Sequence, residues 1–150
     1  MSDEKKETET VGRLIGYVRT EAGARDGDVQ RWRLEKSGCE LIYTDADASG
    51  NDKSRPELAE AMNQLRAGDT LVVWKWERLT LDVLHALELN DAAQKCGARL
   101  WSLCEPFDAR TPTGKMLMST AVSFAWYESV MGDKELSVPP YAPLRLGQMC

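Results

Sequence analysis

Three charged side chains directly follow an apolar segment near the middle of the chain. Residues 71–74 (LVVW) are uninterruptedly apolar, and Lys75, Glu77 and Arg78 come immediately after them. An unbroken apolar run is typical of a strand that is buried on both faces of a parallel sheet. Ligands of such sheets bind beyond the carboxyl ends of the strands. A turn at this edge does not require a cation, so these residue types indicate a ligand site there.

Strand-like and helix-like segments alternate along the chain, and this alternation would position such an edge. Gly38 follows one helical segment as a stop signal, and Pro56 lies in the first turn of another. Alternation implies parallel pairing with helices on the faces of the sheet. We therefore predict an α/β fold with a mostly parallel four-stranded sheet, helices on both faces and a long C-terminal helix. The predicted strands are 14–19, 40–44, 70–76 and 98–103, and the predicted helices are 28–37, 55–66, 82–96 and 113–131.

The composition is that of one globular domain without a membrane segment. The chain has 150 residues, 43% of them hydrophobic, and no apolar run approaches the roughly 18 residues needed to span a bilayer. The four cysteines and the single histidine, His85, lack the spacing of a metal site, so we predict no metal and no cofactor. We interpret the cysteines as buried reduced thiols of a cytoplasmic protein. The net charge of -5 provides no global electrostatic support for DNA binding, although a local basic patch is compatible with it.

The sequence divides into three predicted regions. Residues 1–12 are polar and of mixed charge, and we predict a disordered lead-in there. Residues 13–136 form the predicted domain. Residues 137–150 contain three prolines and a single charged residue, Arg145, so we expect an irregular tail.

Four short parts of the sequence carry a resemblance to a known family. They are IGYVR at 15–19, ASG at 48–50 with RPEL at 55–58, GDTLVVWKWERLT at 68–80, and EPFD at 105–108 with TPTGK at 111–115. In order and spacing they resemble the catalytic domain of serine recombinases of the resolvase/invertase family. The resemblance extends from residue 14 to residue 128 and so covers most of the chain.

The family resemblance implies a specific chemistry at the sheet edge. In these enzymes a serine hydroxyl attacks a DNA phosphodiester and forms a covalent phosphoserine link, which is later reversed on a new strand. No metal takes part, because arginines stabilise the phosphoryl transition state. The resemblance assigns Arg19, Arg55 and Arg78 to three of these arginines, and Glu77 to a position that is usually aspartate.

The position of the family nucleophile, two residues after Arg19, is occupied by Glu21. A carboxylate brings negative charge to a phosphate site, and an acyl phosphate formed on it would be hydrolytically labile. Leu81 and Ser129 stand where the resemblance places two further arginines. Loss of one transition-state donor reduces a rate by on the order of 10²–10³. We therefore predict a degenerate recombinase domain that neither cleaves nor rejoins DNA.

Two alternatives stay open at this point. In the first, the chain is an active strand-cleaving enzyme that uses Glu21 or the hydroxyl of Thr20. Neighbouring strand positions face opposite ways, so Thr20 is expected to point away from the site. In the second, it is a non-enzymatic regulator that forms oligomers with an intact recombinase through helix 113–131. The apolar side chains of this helix exceed what one core contact requires, so a homo-oligomer through it is also expected.

The resemblance implies DNA as a partner, but the sequence offers little to bind it. The family extends its long helix into a basic arm and follows it with a helix-turn-helix domain. Neither feature is recognisable here, so DNA binding is expected to be weak or lost.

Structural roles are expected for several other residues. His85 falls in a predicted helix and is expected on its surface or in packing. Ser49 lies in a polar loop and is expected to be a turn residue. Trp74, Trp76 and Trp101 are expected to fill core or interface space rather than to stack on bases.

Overall fold

The computed structural model describes residues 12–52 and 54–131. Most of the predicted lead-in and all of the predicted tail lie outside these residues. The strands within the described ranges are β1 (Leu14–Arg19), β2 (Leu41–Asp45), β3 (Thr70–Val73) and β4 (Arg99–Ser102). The helices are α1 (Gly27–Lys36), α2 (Pro56–Gln64), α3 (Trp76–Leu79), α4 (Val83–Lys95) and α5 (Pro112–Met131).

The strands form one parallel sheet in the order β2-β1-β3-β4. The strand order reverses between β1 and β3, so a crevice opens beyond the carboxyl ends of these two strands. Arg19 and Asp45 are register partners at the ends of β1 and β2. The predicted α/β fold, with a parallel four-stranded sheet and a long C-terminal helix, is confirmed.

Side chains of the strands alternate between two cores, one on each face of the sheet. Ile15 and Tyr17 belong to the larger core, which also takes in residues of α2, α4 and α5. Val18 and Val72 point to the opposite face, where they pack with Leu34 of α1. Arg19 continues the row of Ile15 and Tyr17 and therefore extends toward the larger core.

β3 is shorter than the predicted strand 70–76. It ends at Val73, and Trp76 instead begins the single-turn helix α3. The Trp76 amide donates to Oε1 of Glu105 at 2.8 Å. The Trp76 ring is fully buried, with its centroid 5.7 Å from that of Phe107. Burial of a large aromatic ring is strongly favourable, and it turns the chain back across the end of β1.

The remaining element boundaries differ from the predicted ones by one or two residues, which is usual at element ends. Cys39 and Cys104 are partly buried, whereas Cys96 is exposed rather than buried as predicted. Burial raises the pKa of the Cys39 thiol to about 11. In the described part of the chain, no helix is long and apolar enough to cross a membrane. The same ranges hold no cluster of three or more His, Cys, Asp or Glu residues that could bind a metal ion.

Candidate active site

Arg19 ends β1 and lies at the centre of the crevice, with only 1% of its surface exposed. Its Nη1 donates to the carbonyl of Ala48 at 3.0 Å, and its Nη2 donates to the carbonyl of Glu77 at 2.5 Å. Its Nε donates to the carbonyl of Arg78 at 3.2 Å. The guanidinium therefore ties the loop after β2 and the α3 turn to the end of β1.

Glu21 stands beside this guanidinium and forms an ion pair with it. Its Oε2 lies 3.8 Å from Nη1 of Arg19, and 43% of the Glu21 side chain is exposed. Burial lowers the pKa of Arg19, and the Arg55 and Arg78 cations lower it further, whereas the Glu21 carboxylate acts in the opposite direction. The Glu21 carboxylate thus places a negative charge next to the Arg19 guanidinium.

Gly50 lies close to both Leu81 and Arg19. A Cβ added to Gly50 would lie 2.6 Å from Cγ of Leu81 and 2.8 Å from Nη2 of Arg19. The Leu81 amide donates to the carbonyl of Gly50 at 2.9 Å, and Leu81 is almost fully buried. The family resemblance places a cation at position 81. The structure has the apolar side chain of Leu81 there, close to Gly50.

Arg55 precedes α2 and is also buried, with 2% of its surface exposed. Its Nη1 donates to the carbonyl of Leu79 at 2.5 Å, and its Nε donates to the carbonyl of Asp52 at 2.8 Å. Its Nη2 lies 3.3 Å from Nδ1 of His85. Arg55 thus stabilises the end of α3 and the loop before α2, and it is separated from solvent by them.

Tyr17 and Asp45 complete this buried polar network. The Tyr17 hydroxyl accepts from Nη1 of Arg55 at 3.3 Å and donates to Oδ2 of Asp45 at 2.9 Å. Burial raises the pKa of Tyr17, so the phenol keeps the proton that it donates. The Asp45 carboxylate also accepts from the amides of Glu57 and Leu58, each at 3.0 Å, and so caps the start of α2.

Arg78 forms an ion pair with Asp26, the residue that precedes α1. Nη2 of Arg78 lies 2.5 Å from Oδ2 of Asp26, and about one fifth of each side chain is exposed. The charge of Arg78 is therefore compensated within the protein. Its backbone carbonyl, as described above, accepts from Arg19.

Thr20 and Ser129, which the sequence analysis singled out, contact other parts of the structure. Cγ2 of Thr20 would be 3.0 Å from a Cβ added to Gly27, which places the Thr20 side chain toward the start of α1. Ser129 lies in the last turn of α5, where its hydroxyl donates to the carbonyl of Trp126 at 2.8 Å.

The five predicted site residues come together at the carboxyl edge of the sheet, around α3. Glu77 contributes its backbone carbonyl to the cluster, as do Leu79 and Arg78. The roles of Tyr17, Asp45 and His85 were not predicted from the sequence. Strand alternation could have indicated Tyr17, since it shares a face with Arg19.

Comparison with known proteins identifies the fold and the family. The family model "Resolvase, N terminal domain" matches residues 14–134. The chain belongs to this family. Among its relatives, the DNA-invertase of Enterobacteria phage P7 is 38% identical over 115 residues, which is 77% of this chain and 61% of that protein. The serine recombinase Gin of Escherichia phage Mu is 36% identical over 115 residues, or 77% of this chain and 59% of that protein.

A solved structure agrees with this assignment. The N-terminal catalytic domain of TP901-1 integrase superimposes with a TM-score of 0.60 at 25% identity, covering 79% of this chain and 98% of that one. The chain spans about three fifths of the length of the curated relatives that it matches, the invertase and recombinase named above. The resemblance to the resolvase/invertase catalytic domain is confirmed.

Proposed function

We propose that this resolvase-family domain is related to site-specific DNA recombination but does not itself cleave or rejoin DNA. One observation carries the proposal. The Arg19 guanidinium donates to three main-chain carbonyls, and its side-chain ion pair is with the Glu21 carboxylate. A phosphate at this place would meet a negative charge instead of an attacking hydroxyl, and it would find few free donors.

The other cations of the cluster are largely engaged as well. Arg55 is buried against carbonyls and His85, and Nη2 of Arg78 is paired with Asp26, whereas Nε of Arg78 has no acceptor within the described residues. Phosphoryl transfer requires several donors aimed at one transition state. This set of contacts therefore supports a scaffold role for the arginines.

A covalent-adduct assay tests the proposal directly. The full chain would be joined to the DNA-binding domain of an intact invertase and mixed with supercoiled plasmid that carries the site of that invertase. Quenching with detergent would trap any covalent protein–DNA link, and the intact invertase serves as the positive control. We expect no adduct from the natural sequence or from Glu21→Ser.

The variants separate the missing nucleophile from the missing arginines. We expect an adduct only when Glu21→Ser is combined with Leu81→Arg and Ser129→Arg. An adduct formed by the natural sequence would overturn the proposal, and an adduct mapped to Thr20 would establish the alternative of an active enzyme. Cleavage by Glu21→Ser alone would show that the remaining arginines suffice.

The exposed surface of α5 supports a second candidate function, that of a regulator that forms oligomers with an intact recombinase. Met116 and Phe124 are 61% and 63% exposed, and Trp126, Tyr127 and Val130 are each exposed by nearly half. Exposed apolar side chains in this number are typical of a protein–protein contact. Co-expression with a tagged intact invertase would test it. Recovery of a mixed dimer, lost in Phe124→Asp, supports the proposal, whereas a strict monomer at high concentration contradicts it.

A further inference from the structure

Three tryptophans and a set of cations lie together on the face of the sheet that carries α1. Trp32, Arg33 and Lys36 lie on α1, Trp74 and Lys75 follow β3, and Trp101 lies in β4. We call these six residues the tryptophan–cation strip. Part of it forms a cavity of ≈ 290 Å³ between the second half of α1 and the ends of β3 and β4. The strip lies on the opposite face of the sheet from the buried arginines Arg19 and Arg55.

The aromatic rings of the strip are accessible, in contrast to that of Trp76. Trp32 is 53% exposed, and Trp74 and Trp101 are partly exposed. Val72 and Trp101 are register partners on neighbouring strands, which makes Trp101 a diagonal neighbour of Trp74. Trp32 and Trp74 thus line one cavity, and Trp101 lies on the strand next to it.

Cations accompany each of these rings. Lys36 Nζ lies 5.2 Å from the ring centroid of Trp32, and Lys75 Nζ lies 4.5 Å from that of Trp74. Arg99 Cζ lies 4.9 Å from the centroid of Trp101 and continues the pattern along β4. In the described part of the chain, none of these cations forms an ion pair with a carboxylate. The residues that line the cavity include no acidic side chain.

Two hydrogen-bond donors in the strip lack an acceptor within the described residues. They are Nε1 of Trp74 and Nε of Arg33, and both are shielded from water. A buried donor without an acceptor is unfavourable, so a ligand that supplied acceptor oxygens after a small side-chain shift would satisfy them. Phosphate oxygens have the required charge and acceptor capacity.

We propose that the tryptophan–cation strip binds single-stranded DNA. Bases stack on the Trp32 and Trp74 rings, and Arg33 and Lys36 neutralise the neighbouring phosphates. Basic side chains interleaved with exposed aromatic rings are the combination that single strands recognise, because every base has a face that can stack. A duplex hides those faces, and a single nucleotide covers only one ring of the strip. This binding does not depend on the crevice around Arg19 and Glu21.

The test uses the full chain and a fluorescein-labelled oligothymidylate of about 12 nucleotides, a length within the range of known single-strand sites. Fluorescence anisotropy at low salt would report binding. Trp32→Ala is expected to weaken binding by about 5- to 100-fold, as the loss of one stacking ring predicts. Since Trp32 is exposed, this variant should keep the far-ultraviolet circular dichroism of the natural protein.

A matched pair of variants separates local contacts from total charge. Arg33→Gln with Lys36→Gln should weaken binding and reduce its salt dependence. Arg31→Gln with Lys95→Gln changes the net charge equally at exposed positions outside the strip and should leave binding unchanged. Equal effects of the two pairs, or no effect of Trp32→Ala, would overturn the proposal. It would also be overturned by tighter binding of a duplex, or by equal binding of thymidine monophosphate.

Discussion

Nη2 of Arg55 lies 3.3 Å from Nδ1 of His85 in the interior of the protein. A guanidinium can only donate, so Nδ1 accepts, and the proton of the neutral ring lies on Nε2. The backbone amide of His85 is held by Oδ1 of Asp82 at 3.2 Å, at the start of α4. The pair thus joins α4 to the loop that precedes α2.

Removal of this acceptor should destabilise the domain. We expect His85→Ala to lower the free energy of unfolding by about 1–3 kcal/mol, because a buried charged donor loses its partner. His85→Asn keeps an acceptor near the position of Nδ1 and should lose less. Urea unfolding followed by circular dichroism measures both, and equal losses would contradict the role of Nδ1.

The buried Arg19 is expected to behave as a structural residue. Lysine cannot reach three separate carbonyls, so Arg19→Lys should lower the free energy of unfolding by about 2 kcal/mol or more. Arg78→Lys is the matched control, because lysine keeps the positive charge that pairs with the Asp26 carboxylate. That change should be worth at most about 1 kcal/mol. If the two variants unfold at the same urea concentration, the carbonyl contacts of Arg19 contribute little.

The contact between Gly50 and Leu81 predicts a non-additive pair of substitutions. Gly50→Ala introduces a methyl group 2.6 Å from Cγ of Leu81 and should destabilise the protein by about 1–3 kcal/mol. Leu81→Ala removes the contacting atoms, so the double variant should lose less than the sum of the single variants. Thermal and urea unfolding of the natural protein, the two single variants and the double variant would measure this coupling. Strict additivity would indicate that the loop moves away from Leu81.

Asp69 predicts a defined pH dependence. Its carboxylate accepts from Nη2 of Arg13 at 2.8 Å and from the amide of Arg66 at 2.9 Å. Burial alone would raise the pKa of Asp69, but these hydrogen bonds outweigh it, and the pKa lies below its ordinary value. A lowered pKa stabilises the folded state above the unfolded pKa of about 3.9, and that stabilisation is lost as the pH falls further.

Asp69→Asn should therefore be less stable than the natural protein at pH 7. The difference between the two proteins should shrink as the pH falls below about 4. Urea titrations at a series of pH values would show it. A difference that stays constant down to strongly acidic pH would mean that the charge of Asp69 contributes nothing.

The sequence predicts the sheet well because apolar runs and helix stop signals are local. All four strands lie within three residues of the predicted ranges, and Gly38 does follow α1 with a positive φ of 97°. The turn at α3 was not predictable, because it depends on contacts of Trp76 with Glu105 and Phe107, about thirty positions further along the chain. A contact with a residue that is distant in the sequence cannot be read from the local sequence pattern.

The candidate site was predictable only in part, and for a similar reason. Arg78 was found from its position after an apolar strand, and Arg19 and Arg55 through the family resemblance; the three do gather at one edge of the sheet. Their actual partners were not foreseen, because Arg19 and Arg55 bind mostly backbone carbonyls. Every residue type carries the same carbonyl, so residue identity does not indicate which one will accept a hydrogen bond.

Because Arg19 and Arg55 donate mainly to backbone carbonyls, this fold tolerates amino-acid substitution at the positions that they contact. The acceptors at positions 48, 52, 77 and 79 belong to the main chain, so substitution of the side chains there leaves these hydrogen bonds in place. With hydrogen bonds of this kind, the fold of a domain can persist after its catalytic activity is lost. A domain can thus lose its reactive groups one by one and still present the same surfaces to other macromolecules.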